Sequence, residues 1–203
     1  MKKGISIWSF PAGSLKDSFL LAKDAGFEGV EVALDEGAGE IQLTSTEKDL
    51  LAVKKTAEDC GIELYSVASG LYWNYWMTSE DAAERQKAKD VVKKHLETAA
   101  ILDCESILVI PGSVNADFAA PGRVVDYSAA YDRALEAVTE LKSAAEAYKV
   151  EIGLENVWNK FLTSPLEMRD FIDKVNSPFV GSYLDIGNTL ANGSRRYISR
   201  ITG

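Results

Sequence analysis

The sequence predicts an α/β fold of the (β/α)-barrel type, and three observations lead there. Short β-rich runs alternate with amphipathic helical ones along the chain. The runs are joined by recurring punctuation, DAGF and DCGI, in which Gly26 and Gly61 can adopt the left-handed helix-end conformation before the next strand. Strands separated by helices require a parallel sheet with right-handed crossovers, either an open doubly wound sheet or a barrel. The third observation chooses between them: Trp8, Trp73, Pro111 and Gly112, Glu155 and Asp185 stand at or just beyond strand ends, where a barrel carries its site.

Six strands are expected, in order GISIWSF (Gly4 to Phe10), GVEVALD (Gly29 to Asp35), IELYSVAS (Ile62 to Ser69), SILVIPG (Ser106 to Gly112), EIGLENV (Glu151 to Val157) and VGSYLDIGN (Val180 to Asn188). Crossover helices are expected where apolar residues recur at helical spacing: Leu15, Phe19 and Ala22, then Leu50, Val53 and Ala57, and later Tyr131, Leu135, Val138, Leu141 and Ala145. The segment after the first strand, SIWSFPAGSLKD, has neither G-x-G-x-x-G nor G-x-x-x-x-G-K, which weakens a nucleotide-binding open sheet. Leu71 to Gln86 reads as a long loop that could act as a lid. The charge-rich EDAAERQKAKDVVKK reads as a solvated helix face.

With 203 residues, 46% of them hydrophobic, the chain can bury one large core, so a single domain over residues 1–203 is expected. Its net charge of −9 repels phosphate backbones and anionic lipid, which argues against nucleic acid and membrane as partners. No apolar run approaches the roughly 18 residues needed to span a bilayer, and the Met-Lys-Lys start leads into a strand, so a cytoplasmic location is expected. Cys60 and Cys104 each close a helical segment before a strand and read as structural thiols.

Alternation identifies the candidate chemistry. If Ile152 and Leu154 face the helices, Gly153 and Glu155 face the barrel axis; the same parity sets Ser182, Leu184 and Ile186 outward and Tyr183 and Asp185 inward. Glu155 and Asp185 then converge from neighbouring strands. Close carboxylates in a partly buried mouth repel unless a proton or cation lies between them, so a divalent metal is the economical reading: Mg or Mn for oxygen ligands, Co or Zn if an imidazole joins. The plainer alternative is that each acid caps a helix or pairs with a nearby Lys or Arg.

The stretches GLENVWNKFLTSPLEMRDFID and FVGSYLDIGN, together with GISIWSFP, DAGFEGVEV, SGLYWNY, TSEDAAERQKA and SILVIPG, resemble the xylose-isomerase-like TIM-barrel family. The likeness is to its sugar-phosphate isomerases and 3-epimerases, such as those acting on L-ribulose 5-phosphate or L-xylulose 5-phosphate. It implies one divalent metal held by a Glu on strand five, an Asp on strand six, a His on strand seven and a Glu on strand eight. Glu155 matches the first and Asp185 the second. It further implies proton transfer on a ketose through a cis-enediolate, with the two glutamates acting from opposite faces. After Asn188 the chain reads TLANGSRRYISRITG, with no counterpart to strands seven and eight. The expectation is therefore a barrel with about six of eight βα units, two of four metal ligands and a weakly held ion.

The only histidine, His95, falls inside a helix and reads as structural or surface. Trp8 and Trp73 are candidates for an apolar wall against a sugar, Trp158 a weaker one; Asn188 could contact a sugar hydroxyl or cap a helix. The expected ligand is a sugar or sugar phosphate, and a homo-oligomer could cover the open barrel edge. Two other readings stand beside the isomerase or epimerase: an inactive fragment or partner-dependent interaction protein, and an inosose-dehydratase-like lyase.

Overall fold

The computed structural model describes residues 2–193. Six parallel strands form one sheet in the order β1-β2-β3-β4-β5-β6: β1 (Gly4–Ser6), β2 (Gly29–Leu34), β3 (Glu63–Ser69), β4 (Ser106–Val109), β5 (Glu151–Glu155) and β6 (Val180–Tyr183). Each successive pair is joined by a helix: α1 (Leu15–Asp24), α2 (Glu47–Cys60), α3 (Ala82–Ile101), α4 (Tyr127–Tyr148) and α5 (Pro165–Val175). A short α6 (Ile186–Ala191) follows β6. Sequential order with every neighbour parallel is the topology of a (β/α) barrel, and over the described residues the sheet is not closed: β1 and β6 are its edges. The expected absence of a seventh strand concerns the tail beyond Asn188, of which residues 194–203 lie outside the described residues.

Helix boundaries follow local chemistry. Ser14, Thr46, Asp81, Asp126, Ser164 and Asp185 each accept a backbone N–H of the first turn of the helix they precede. Thr46 with Asp49 and Ser164 with Glu167 complete reciprocal capping boxes. Gly26 (φ +81°) and Gly61 (φ +68°) take the left-handed conformation expected of them.

The outward face of the sheet is the core. Val30, Val32 and Leu34 on β2, Ile107 on β4 and Ile152 and Leu154 on β5 are buried against helical residues such as Phe19, Leu50, Leu96, Leu141 and Phe171. Each fully buried aliphatic side chain contributes about 1.5–3 kcal/mol. Leu184 and Ile186, expected to continue the outward face of β6, lie beyond its end, Ile186 in the first turn of α6, and both are about half exposed.

The concave face is different. At its base the Tyr65 ring occupies the space a Cβ would need at Gly4 and Gly29, 2.8 and 2.5 Å from such an atom. A register shift opposite Val30 and Glu31 accommodates Tyr65 and leaves Ser66 paired with Glu31. One layer higher lie Glu31, Ser66 and Tyr183, and then Glu155 at the mouth.

Strands are shorter than their apolar runs suggested. β1 gives way to a 3₁₀ turn over Ile7–Ser9 that carries Trp8, and β6 ends two residues before Asp185, which is the N-cap of α6. Leu71 to Gln86 is packed against the core and is not an open loop. It opens with a 3₁₀ turn, buries Tyr72, Trp76, Met77, Thr78 and Ser79, and enters α3 at Ala82. Nor is the charged face of α3 wholly solvated: Glu84 accepts both ends of the Arg123 guanidinium, at 2.9 and 3.0 Å, and the backbone N–H of Trp76 at 2.8 Å.

Candidate active site

At the C-terminal ends of the strands a cleft of about 300 Å³ is walled by Trp8, Trp73, Phe118 and Trp158, with Glu155 and Asn188 at its polar end. Leu108, Ile110 and Val157 complete its apolar lining. A larger depression, of about 490 Å³, opens at the other end of the sheet among Lys2, Tyr65 and Asp103, away from these strand ends.

The aromatic wall comes from four separate segments, those after β1, β3, β4 and β5. Phe118, in the loop after β4, stacks edge-on to Trp73 at 4.8 Å and tilts onto Trp158 at 4.3 Å, so one phenyl ring joins the loops after β3 and β5. Buried polar groups hold these loops together beneath the aromatics. Thr78 Oγ1 donates to Ser113 O and accepts from Ser113 N, while Asn159 Nδ2 donates to Gly112 O and Ser113 Oγ. Gly112 is required there: its φ is +140°, and a Cβ would lie 2.2 Å from Thr78 Cγ2.

Glu155, the last residue of β5, faces the cleft as alternation predicts. Burial, then the charge of Asp185, then that of Glu31, push its carboxyl up to about 7. No Lys or Arg pairs with it among the described residues. The Asn188 side-chain amide approaches its Oε1 at 3.4 Å, the long limit of a hydrogen bond. The Asn188 backbone N–H donates to Asp185 Oδ1 at 2.7 Å, so this one residue touches both carboxylates.

Asp185 is placed by a residue that sequence reasoning missed. Asn156, directly after Glu155, accepts the Asp185 N–H at 2.9 Å through its side-chain oxygen and donates to the Asp185 carbonyl at 2.8 Å through Nδ2. The fork ties the end of β6 to the end of β5. A polar amide following a strand-end carboxylate was the available signal. Phe118 was also missed, because nothing in its polar, small-residue loop distinguishes it from a surface phenylalanine.

Trp8, Trp73, Glu155 and Asn188 thus share one cleft, and Trp158 lies in the same wall. The charge of Asp185 is felt at Glu155, and the Asp185 side chain caps α6, as the plainer alternative expected; it does not itself line the cleft. Asn188 is not a cap by its side chain. As a donor set, two unpaired carboxylates fit part of the shell of a hard divalent ion; no group of three Asp, Glu, His or Cys converges among the described residues. His95 is fully buried: Nε2 lies 2.8 Å from the Val67 carbonyl, so it is the donor, and Nδ1 accepts from Tyr72 at 2.8 Å. Burial lowers its proton affinity to about 3. Cys104 is likewise inert, its thiol pushed up to about 12 by burial.

Comparison with known proteins agrees with this architecture. A protein of Haemophilus influenzae, provisionally named L-ribulose-5-phosphate 3-epimerase, is 24% identical over 172 residues, covering 84% of this chain and 58% of its own length. The chain thus spans little more than half of that relative. Among solved structures, a D-psicose 3-epimerase with D-tagatose from Clostridium cellulolyticum H10 superposes with a TM-score of 0.77 at 22% identity, over 95% of this chain and 69% of the other. A D-psicose 3-epimerase in the presence of D-fructose gives 0.76 at 23%, over 91% and 63%. A 3-keto-D-glucoside 4-epimerase from E. coli gives 0.69 at 16%, over 89% and 68%. Residues 19–203 match the model of the xylose isomerase-like TIM barrel family. With a parallel sheet in barrel order and a match over most of its length, the chain belongs to the xylose isomerase-like TIM-barrel family.

Proposed function

We propose that this chain carries part of a sugar or sugar-phosphate epimerase or isomerase site, with Glu155 as the group that moves a proton at the carbon beside a ketose carbonyl. The observation that carries this reading is a half-buried, unpaired carboxylate at a strand end, with proton affinity near 7, facing an aromatic cleft. A carboxylate at that affinity can take a proton and return it near neutral pH. Trp8, Trp73, Phe118 and Trp158 offer apolar faces to the C–H side of a sugar and exclude water, while Asn188 offers an amide to a hydroxyl. Glu155 and Asp185 are the residues that would hold a divalent ion, Mn, Mg, Co or Zn. Such an ion would supply positive charge where the substrate oxygen gains electron density.

Only one acid or base faces this cleft among the described residues, so proton removal and return are expected from one face. That favours isotope exchange over net epimerisation. The test is incubation of ketoses and ketose phosphates in D₂O with Mn²⁺, with mass spectrometry for deuterium and chromatography for epimers. Glu155-dependent deuterium incorporation with little epimer supports the reading. Exchange that persists in Glu155→Gln, or no exchange by the unaltered chain, overturns it.

A second reading, a partner-dependent protein with little or no turnover, is favoured by one feature. Leu184, Ile186 and Leu190 expose an apolar strip along the β6–α6 edge, beside an Asp185 already engaged in capping. Absence of exchange together with self-association in sedimentation would support it.

A further inference from the structure

Tyr183 and Glu31 lie on strands separated by three others in the sheet, yet they meet across its concave face. Tyr183 Oη donates to Glu31 Oε2 at 2.6 Å, and Ser66 Oγ on β3 donates to the same oxygen at 2.8 Å. Each hydroxyl has one proton, and both are directed at Glu31; the 3.2 Å approach of Ser66 to Tyr183 is then a contact between oxygens, not a third bond. Two donors on one carboxylate oxygen make short, charge-assisted bonds.

We propose that Glu31 and Tyr183 form a tether across the barrel interior that positions Glu155 and Asp185, making Glu31 a positioning residue and not a ligand. The inference rests on the reading of those two carboxylates as an ion-holding pair. Three features of the geometry support it. First, β6 is hydrogen-bonded only to β5 among the described residues, so its angle to the rest of the sheet depends on side-chain contacts, and this one spans 152 positions of sequence. Second, the Tyr183 ring is wedged: it fills the space over Gly153, where an added Cβ would lie 2.7 Å from Tyr183 Cδ2, and its backbone is in register with Glu155 itself. Third, Asp185 follows two residues later and is gripped from β5 by Asn156. The end of β6 is thus fixed from the interior by Glu31 and from its neighbour by Asn156. Neither Glu31 nor Tyr183 bonds to either carboxylate, so the tether acts through the backbone of β6, whose placement sets where Asp185 stands beside Glu155.

Mn²⁺ titration of the full chain, followed by the electron paramagnetic resonance of the free ion, tests this in four variants whose folding is checked by chemical denaturation. Tyr183→Phe and Glu31→Ala are each expected to weaken Mn²⁺ binding about tenfold. The double variant should lose no more than either single one, because both break the same tether. Glu31→Gln separates positioning from simple charge attraction: it keeps an oxygen to accept both hydroxyls, so most of the affinity should be retained. If Glu31→Gln loses as much as Glu31→Ala, or Tyr183→Phe binds like the unaltered protein, the tether does not position the site. If the unaltered chain binds no Mn²⁺ at all, the ion-holding reading fails by itself. The tether is then judged from unfolding: losses in the two single variants that add fully in the double variant overturn it, and losses that do not add sustain it.

Discussion

The side-chain amide of Asn188 reaches Oε1 of Glu155 at 3.4 Å, from a residue whose backbone N–H is already committed to Asp185. A neutral amide therefore stands where two carboxylates approach each other, and it can donate to Glu155 only weakly at that length. Replacing it with a third carboxylate should improve the shell for a hard cation. Asn188→Asp is expected to raise Mn²⁺ affinity by about tenfold, since affinity in oxygen sites follows ligand charge and number. An unchanged titration would place Asn188 outside the ion site.

Without that change, the ion should be held loosely. Two protein carboxylates leave most of the shell to water, and a dissociation constant weaker than about 10⁻⁴ M is expected for Mn²⁺ by calorimetry. Tight one-to-one binding would require further ligands beyond Glu155 and Asp185.

Glu155 also makes a prediction about stability. Its carboxyl is raised from 4.5 to about 7, so the folded state retains the proton through a range in which the unfolded chain has released it. Its contribution is fully favourable below pH 4.5 and is lost as pH rises toward 7, a change of about 3 kcal/mol. With a chelator present, Glu155→Gln should unfold like the unaltered protein at pH 4 and at higher denaturant concentration at pH 8. Parallel midpoints at both values would mean that Glu155 is solvated.

Two glycines should resist substitution for different reasons. At Gly153 an alanine Cβ meets the Tyr183 side chain at 2.7 and 3.1 Å and the Ile107 carbonyl at 3.3 Å, an overpacking expected to cost about 1–3 kcal/mol. At Gly112 the clash with Thr78 is closer and the positive φ adds strain, so Gly112→Ala should be the more damaging in denaturant melts. The reverse order would mean that the loop after β4 yields more easily than the sheet.

His95 is predicted to act on stability alone. Because its proton affinity is lowered to about 3, the unfolded chain takes up a proton below about pH 6.5 that the folded chain refuses, and this contribution falls as the medium is acidified. His95→Ala leaves the Tyr72 hydroxyl and Val67 carbonyl without their buried partner and opens a cavity, for a loss of about 3 kcal/mol or more. Mn²⁺ affinity should not change; if it does, α3 communicates with the mouth.

By itself, the sequence determined the alternation of strand and helix, the glycine helix ends at Gly26 and Gly61, and the direction of Glu155, because these depend on neighbours within a few residues and on the two-residue period of a strand. It also placed Trp8, Trp73 and Asn188 near that carboxylate, since parallel strands bring their C-terminal ends to one rim. Strand ends were less legible: the apolar run through Asp185 looks continuous, but an aspartate able to accept the Asn188 N–H starts a helix instead. The stretch from Leu71 to Gln86 looked like an open loop because its aromatics have no periodicity, and only packing showed Tyr72 and Trp76 to be core. What tertiary structure alone decided is how distant residues meet. Phe118 joins Trp73 to Trp158, Asn156 grips Asp185, and Tyr183 crosses the interior to Glu31. Such contacts depend on the curvature of the sheet and the lean of side chains across it, and these are set by the sum of all the packing, not by any local pattern.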